Sequence, residues 1–386
     1  MHNFQFANPT KIIFGKNKIQ SLSQEIPSGS KVLLLYGGGS VKKSGLLDTI
    51  KTILKDYKLG EFGGIEPNPS YETLMQAVEL IRRENYDFLL AIGGGSVIDG
   101  TKFIAAAVPF TQDDPWQLVA AQLPITKALS FGTVLTLPAT GSEMNSGAVV
   151  TRKSLNAKLA FSSPAVFPKF SILDPIYTYT LPKKQIANGV VDAFIHVMEQ
   201  YMTYPVAGKV QDRFAEGLLL TLIEEGPKAL ENPENYDIRA NIMWSATLAL
   251  NGLIGSGVPQ DWSTHMIGHE ITALYGLDHA QTLAIVFPSM LKVMEKEKAE
   301  KILQYGTRIW NIPETMPDSD RIDLAIEKTE AFFNAMGMKT HFSGYGLGRE
   351  VIEKIISGLT AHNMVELGEH GTVTPEVARK VLELSL

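Results

Sequence analysis

The sequence predicts an α/β domain built on a parallel sheet, followed by an all-helical domain. Three observations carry that prediction. Short, nearly all-apolar segments in the first half each run into a glycine- or proline-containing turn. Helix-length segments separate them, and beyond about residue 181 no convincing period-2 strand appears. Strands that are apolar on both faces belong to sheets covered on both sides, the habit of parallel sheets with helical crossovers. A chain of 386 residues exceeds what one core usually serves, and the change of character places the boundary near 178, giving domains 1–178 and 179–386.

The elements follow in order. Lys31–Tyr36 (KVLLLY) reads as a strand stopped by Gly37-Gly38-Gly39-Ser40, with a helical pattern from about Ser44 to Tyr57. Tyr71–Glu84 is an amphipathic helix in which Leu74, Val78 and Ile81 recur at helical spacing. Asp87–Ile92 (DFLLAI) is a second buried strand, stopped by Gly93-Gly94-Gly95-Ser96 and followed by a helix through Ile98, Phe103 and Ile104. Phe131–Leu137 (FGTVLTL) is a third, leading into Pro138-Ala139-Thr140-Gly141-Ser142. Leu181-Pro182 opens a long helix, since proline is tolerated in a first turn. Segments around 211–222, 239–253, 262–275 and 280–294 are also helix-length.

Composition removes several function classes. Thirty-five Lys and Arg against 41 Asp and Glu give a net charge of -6, with no basic run, so no nucleic-acid partner is expected. Cysteine is absent, which excludes disulfides, thiol nucleophiles and Cys-type zinc sites; a metal here must use His, carboxylate or water. The first fifteen residues lack a signal-peptide core, and no apolar run approaches the roughly 20 residues of a membrane helix. A cytoplasmic protein with no membrane partner is expected.

Each strand–GGGS–helix unit brings backbone N–H groups and a helix N-terminus to one place, the physical makings of a phosphate cradle. One such turn is weak evidence; two, each after a buried strand, favour a dinucleotide site. Neither matches the G-x-G-x-x-G fingerprint or a P-loop, which points to a divergent nucleotide fold. Asp99, three residues past Ser96, either complements the helix dipole, worth roughly 0.3–1 kcal/mol, or contacts the nucleotide. Lys102 and Lys158 either neutralise phosphate or are solvated, and spacing does not choose.

Asp192 and His196 are four apart on the helix after Pro182 and stack on one of its faces. His265 and His269 repeat that spacing, and His279 opens the next helix, so three of eight histidines fall between 265 and 279. On spacing alone the Asp192–His196 pair also fits an exposed ion pair, since Ile186, Val190, Phe194, Val197 and Tyr201 form the other side of the helix. Taken together, a carboxylate and several imidazoles with no thiol suit Fe(II) or Zn(II). The segment HMIGHE is not H-E-x-x-H, so a zincin protease is not supported.

With these residues assembled, the chain resembles the iron-containing (group III) alcohol dehydrogenase family along its whole length, and most the NADPH-dependent aldehyde reductase and butanol dehydrogenase branch. The matching stretches include YGGGSVKK (36–43), GGIEPNPSYET (63–73), AIGGGSVIDGTKFIA (91–105), TLPATGSE (136–143), ANGVVDAFIHVMEQY (187–201), DWSTHMIGHE (261–270) and GLDHAQTLAIV (276–286). The resemblance implies an N-terminal dinucleotide-binding domain, a helical metal-binding domain, and an active site in the cleft between them. It implies metal ligands at Asp192, His196, His265 and His279, with His269 as an additional active-site histidine expected to carry a proton. Cofactor contacts are implied at Gly37, Gly38, Gly39, Ser40, Asn68, Gly94, Gly95, Ser96, Asp99, Thr136, Thr140, Asn145 and Lys158. The expected activity is hydride transfer between NADP(H) and small aldehydes or alcohols in a homodimer containing one Fe(II) or Zn(II). Alternatives are the lyase chemistry that dehydroquinate synthase runs on a related fold, and a non-catalytic nucleotide-binding protein.

One departure from the family bears on the cofactor. Many NAD-using relatives carry an aspartate just after the first strand, where it accepts hydrogen bonds from the adenosine ribose. Here that turn is Gly37-Gly38-Gly39-Ser40, with Lys42 and Lys43 close behind. A carboxylate there would repel a 2′-phosphate, whereas hydroxyl and ammonium groups accept one. NADP(H) is therefore expected over NAD(H).

Overall fold

The computed structural model describes residues 1–386, which divide into two compact units. One comprises Ala7–Leu181 and Glu234–Thr247; the other comprises Met1–Phe6, Pro182–Pro233 and Leu248–Leu386. Two segments therefore cross a single cut at residue 178. Glu234–Thr247 joins the α/β unit because its helix, Tyr236–Ala249, carries anchors into it. Buried Arg239 donates from Nε to Thr178 Oγ1 (2.8 Å) and from Nη2 to the Thr178 carbonyl (2.9 Å), and Met243 enters the apolar core. Met1–Phe6 joins the helical unit, where the His2 amide donates to the Gly257 carbonyl (2.9 Å).

The α/β unit holds eight strands: β1 (Lys11–Phe14), β2 (Lys31–Tyr36), β3 (Lys58–Phe62), β4 (Phe88–Gly94), β5 (Ser130–Leu137), β6 (Gly147–Arg152), β7 (Ala157–Ser162) and β8 (Phe170–Leu173). Six form one sheet in the order β1-β8-β5-β4-β2-β3, and every pairing in it is parallel. The pleat divides its apolar residues between two cores. Leu33, Leu35, Leu89 and Ala91 pack under the helices Tyr71–Glu84 and Gly95–Ala107. Val32, Leu34, Leu90 and Ile92 pack on the opposite face with Leu46, Leu47 and Ile50. Burial on both faces is why these strands read as unbroken apolar runs.

Strand order decides where a ligand can sit. From β2 the chain steps outward to β3, then crosses back to β4 and continues to β5 and β8. The carboxyl ends of β2 and β4 thus flank a switch point, the crevice where open α/β sheets bind ligands. Both GGGS turns lie there. At β4 the register slips between Gly93 and Gly94, a bulge that ends pairing and turns the chain into its helix. The antiparallel hairpin β6–β7 lies outside the sheet.

β2, β4 and β5 lie where their apolar runs predict them, whereas β1, β3, β6, β7 and β8 have no such signal in the sequence. β1 and β8 have only four residues each, and β3 (KLGEF) is a partly exposed edge strand with no apolar run. The expected helix over 44–57 is shorter, Leu46–Ile53, and a separate turn of helix, Ser40–Lys43, precedes it across Gly45 with φ +75°.

The helical unit is built from Lys183–Tyr201, Lys209–Glu231, Ser263–Tyr275, His279–Val293, Glu295–Trp310, Asp318–Ala335, Val351–Ala361 and Pro375–Leu384. Pro182 precedes the first of these as its cap residue and does not occupy the first turn. No helix is long and apolar enough to cross a membrane. A buried ion cluster braces the unit: Lys298 Nζ lies 2.6 Å from Asp261 Oδ2 and 2.8 Å from Glu369 Oε1, and donates to the Met202 carbonyl (2.8 Å).

Gly132 tests the packing of the sheet. A Cβ there would lie 2.2 Å from Cζ of Phe170, whose ring is stacked on Phe88 at 6.2 Å between centroids. Gly132→Val should therefore lower stability by about 1–3 kcal/mol by overpacking, although valine favours strands. Urea unfolding followed by circular dichroism checks this; an unchanged midpoint would contradict the packing described.

Candidate metal and nucleotide sites

The helix Lys183–Tyr201 is buried on all sides from Gly189 onward, so Asp192 and His196 are interior groups. Their side chains are each 6% exposed, which overturns the reading of an exposed ion pair. Two other elements converge on them. His265 and His269 project from Ser263–Tyr275, and both are buried. His279 is the first residue of its helix, at a turn tied down from two directions. Gln281 Oε1 accepts from the Asp278 amide (3.0 Å), while Asp278 Oδ2 accepts from Asn188 Nδ2 (2.8 Å) and pairs with Lys184 (2.9 Å). Asn188 is one turn before Asp192, so the same contacts that fix His279 also fix its distance to the carboxylate.

One donor atom each from Asp192, His265 and His279 lie within 4.8 Å of one another. Asp192 Oδ1 is 3.8 Å from His279 Nε2 and 4.0 Å from His265 Nε2. His196 stands beside that trio: its Nδ1 is 3.7 Å from Asp192 Oδ1 and its ring 4.5 Å from that of His265. Burial pushes the His196 imidazole down to about 4, against the pull of Asp192. It is therefore neutral at ordinary pH and keeps the lone pair a cation requires. Its buried Nδ1 has no hydrogen-bond partner. The His269 ring lies 5.0 Å from His279 and 6.4 Å from His265, at the margin of the cluster.

Two further residues frame the cluster, and neither was singled out from sequence. Trp262 packs its ring 5.3 Å from His265 and 6.2 Å from His196, with φ +67°, an unusual backbone state for a bulky residue. Glu199 meets the backbone and ring of His265. Burial pushes the Glu199 carboxyl well above the usual range, reinforced by Asp261 and opposed by the amides of Thr264 and His265. The signal for Glu199 was present: it sits three residues past His196, on the face already carrying Asp192 and His196.

In the α/β unit, the helix after β4 begins at Gly95, and Gly94 caps it without a side chain. Its first N–H groups are thus available to an anion. A Cβ on Gly95 would lie 2.4 Å from Thr140 Oγ1, so the glycine lets this turn and the Thr140 loop close together. The helix start also places Asp99 beyond the first turn, which overturns its dipole reading. Asp99 Oδ1 accepts from Ser142 Oγ (2.6 Å) and Oδ2 from the Val149 amide (2.9 Å). Burial raises its pKa, against the pull of Lys102 and Lys158.

Lys102 is buried beneath this loop and donates to Asn145 Oδ1 (2.8 Å) and the Gly147 carbonyl (2.6 Å). It therefore positions Asn145 and is not a solvated lysine. Lys158 is buried on β7, opposite Thr151. Gly94, Gly95, Asp99, Thr140, Asn145 and Lys158 are thus brought together through shared contacts. Thr136 lies at the carboxyl end of β5, and Ser96 in the first turn after Gly95. Asn68 has the positive φ (+55°) that asparagine tolerates.

At the end of β2, the Gly37 carbonyl accepts from the Gly64 amide (3.1 Å), and Gly38 leads to Gly39 at φ +101°. Ser40 then opens a short helix. The turn itself holds no carboxylate, but the parallel pairing of β2 with β3 sets Glu61 opposite Leu34. Glu61 accepts from Tyr36 Oη (3.0 Å), pairs closely with Lys51, and lies 3.9 Å from Lys42 Nζ. Lysine neighbours hold its pKa down, so it stays ionised and largely compensated.

Residues 9–175 match the family model described as iron-containing alcohol dehydrogenase, and residues 186–376 match its C-terminal counterpart. The chain is 57% identical to the NADPH-dependent aldehyde reductase YqhD of Escherichia coli, over 99% of each chain. It is 38% identical to the NADH-dependent butanol dehydrogenase A of Clostridium acetobutylicum, over 100% of this chain and 99% of that one. The crystal structure of E. coli YqhD superposes with a TM-score of 0.98 at 56% identity, covering 100% of this chain and 99% of that one. By sequence and by fold, the chain belongs to the iron-containing alcohol dehydrogenase family.

Proposed function

We propose that the chain is a metal-dependent oxidoreductase that uses NADPH to reduce small aldehydes to alcohols. The observation that carries this reading is the trio Asp192, His265 and His279, the first two buried and the third partly exposed, whose donor atoms lie within 4.8 Å of one another. The donor chemistry fits the group: a carboxylate, imidazoles and no thiol suit Fe(II) or Zn(II), and His196 offers a fourth nitrogen with a buried Nδ1 lacking any hydrogen bond. The 57% identity to an NADPH-dependent aldehyde reductase supports the activity.

Asp192, His196, His265 and His279 would hold the cation, and the glycine turns with Thr140, Asn145 and Lys158 would hold the nucleotide. Bound there, the cation supplies Lewis acidity toward the carbonyl oxygen and the nicotinamide supplies hydride. The protein's own part is positioning and proton supply. Glycine backbones and the free helix N-terminus at Gly95 orient the pyrophosphate. Asp99, fixed by Ser142 and the Val149 amide, and Asn145, fixed by Lys102, keep that pocket in one shape. The buried walls around His196 and His265 limit water, and His269 at the margin of the cluster hands a proton to the product oxygen. We infer a cytoplasmic homodimer; light scattering should give about twice the 42.3 kDa chain mass, and a monomer would contradict it.

Cofactor choice differs among relatives, since the butanol dehydrogenases at 38–41% identity are NADH-dependent. In this chain Ser40 and Lys42 follow the glycine turn after β2, where they would accept a 2′-phosphate, and Glu61 is already engaged by Lys51 and Tyr36. Fluorescence titration should show NADPH binding more tightly than NADH. Lys42→Ala should cost NADPH about tenfold in affinity, near the ~1.5 kcal/mol of one charge-assisted hydrogen bond, and leave NADH nearly unchanged. Tighter NADH binding by the wild type would contradict this.

The two histidines of the helix Ser263–Tyr275 should separate by role. His265→Ala should lose bound metal and butanal-dependent NADPH oxidation together. His269→Asn should retain metal by elemental analysis while turnover falls about 100-fold or more, the usual size of a general-acid contribution. Loss of metal from the His269 variant would move that residue into the ligand set.

A further inference from the structure

Asp192, His196 and Glu199 share one face of the helix Lys183–Tyr201, and Glu199 is 2% exposed. Its carboxylate is surrounded by donors from a single neighbouring turn. Oε1 accepts from the Thr264 amide (2.8 Å) and Oε2 from the His265 amide (3.2 Å), while Oε2 also pairs closely with His265 Nδ1. The Glu199 carbonyl accepts from the Asp261 amide (2.9 Å). The Thr264 and His265 amides are orphan donors of the first turn of Ser263–Tyr275, whose own cap residue, Trp262, makes no side-chain cap. One residue of one helix therefore caps a second helix and grips the imidazole that the second helix carries.

The grip has a chemical consequence. Burial favours the neutral carboxyl in the metal-free protein, whereas a cation held at the cluster favours the ionised one; that carboxylate can only accept, so the ring nitrogen facing it, Nδ1, then carries the hydrogen. The lone pair then falls on Nε2, the atom that lies 4.0 Å from Asp192 Oδ1. We propose that Glu199 is a positioning residue for the metal: it fixes the His265 ring and its tautomer so that Nε2 is presented to the cation. The proposal rests on the metal-site reading above and adds to it a residue that supplies no ligand atom. It also accounts for placing a second buried carboxyl beside the cluster, where a side chain that only filled space would be apolar.

Glutamine separates positioning from capping. Glu199→Gln keeps the volume and an oxygen, but every partner of Glu199 is a donor, so the new NH2 group must face one of them. Backbone N–H groups cannot change, whereas an imidazole can switch tautomer. The amide NH2 therefore takes the place of Oε2 beside His265 Nδ1, puts the hydrogen on Nε2 and blocks the ligand atom; it gives up the 3.2 Å bond from the His265 amide, while Oε1 keeps the bond from the Thr264 amide.

The test is competition titration of Zn(II) against a chromophoric chelator, on full-length metal-stripped wild type, Glu199→Gln and Glu199→Asp, with thermal unfolding of each stripped protein. Carboxylates behind metal-binding histidines typically account for 10–100-fold in affinity. Glu199→Gln should bind Zn(II) about 10–100-fold more weakly with an unfolding midpoint close to wild type, and Glu199→Asp should recover part of the loss. Equal affinity in the Gln variant overturns the proposal and leaves the metal site standing. A weaker affinity matched by a large fall in the stripped protein's midpoint also overturns it, because capping alone would then suffice. Wild type that binds no Zn(II) overturns the metal-site reading itself.

Discussion

The structure depends on one constraint: a carboxylate is buried among imidazoles in the interior of a helical unit. Taking a charged side chain out of water costs several kcal/mol unless it is compensated. Asp192 has three imidazoles around it, and burial holds His196 neutral, so that ring supplies no compensating charge. A bound divalent cation satisfies both requirements, offsetting the carboxylate and using the imidazole lone pairs. Much of the surrounding architecture can be understood as holding those donors in place. Asn188 and Lys184 fix the turn before His279, and Glu199 grips the turn before and around His265. The Lys298–Asp261–Glu369 cluster braces the segment leading into that same turn.

The α/β unit solves a different problem with different means. A dinucleotide asks for close backbone approach to phosphate, and the crevice at the carboxyl ends of β2 and β4 supplies it through glycines and a helix start without a side-chain cap. Rigidity comes from beneath. Lys102 is buried to hold Asn145 and Gly147, and Asp99 spends its carboxylate on Ser142 and Val149. Residues that look from sequence like ligands for phosphate or ribose are, in part, the supports that shape the pocket.

The central strands and long helices were legible in the sequence because their periodicity is a direct record of burial. KVLLLY and DFLLAI are buried on both faces and could hardly be anything else. β1 and β8 escaped because four residues carry no period, and β3 because KLGEF is partly exposed and has neither an apolar run nor a period-2 alternation. The departure of residues 234–247 from their neighbours in sequence was invisible because it rests on tertiary contacts, the Arg239–Thr178 pair above all. At the metal site, spacing gave the face on which Asp192 and His196 lie but not its environment; only packing shows that face to be interior. Glu199 and Glu61 needed partners from other elements before either had a meaning.

Crystals loaded with Fe(II) or Zn(II), measured at the metal's absorption edge, test the central claim most directly. The account predicts one strong anomalous peak per chain, enclosed by Asp192, His265 and His279 with His196 alongside. Metal-loaded crystals with no peak at that cluster, or with the ion held elsewhere, would contradict it.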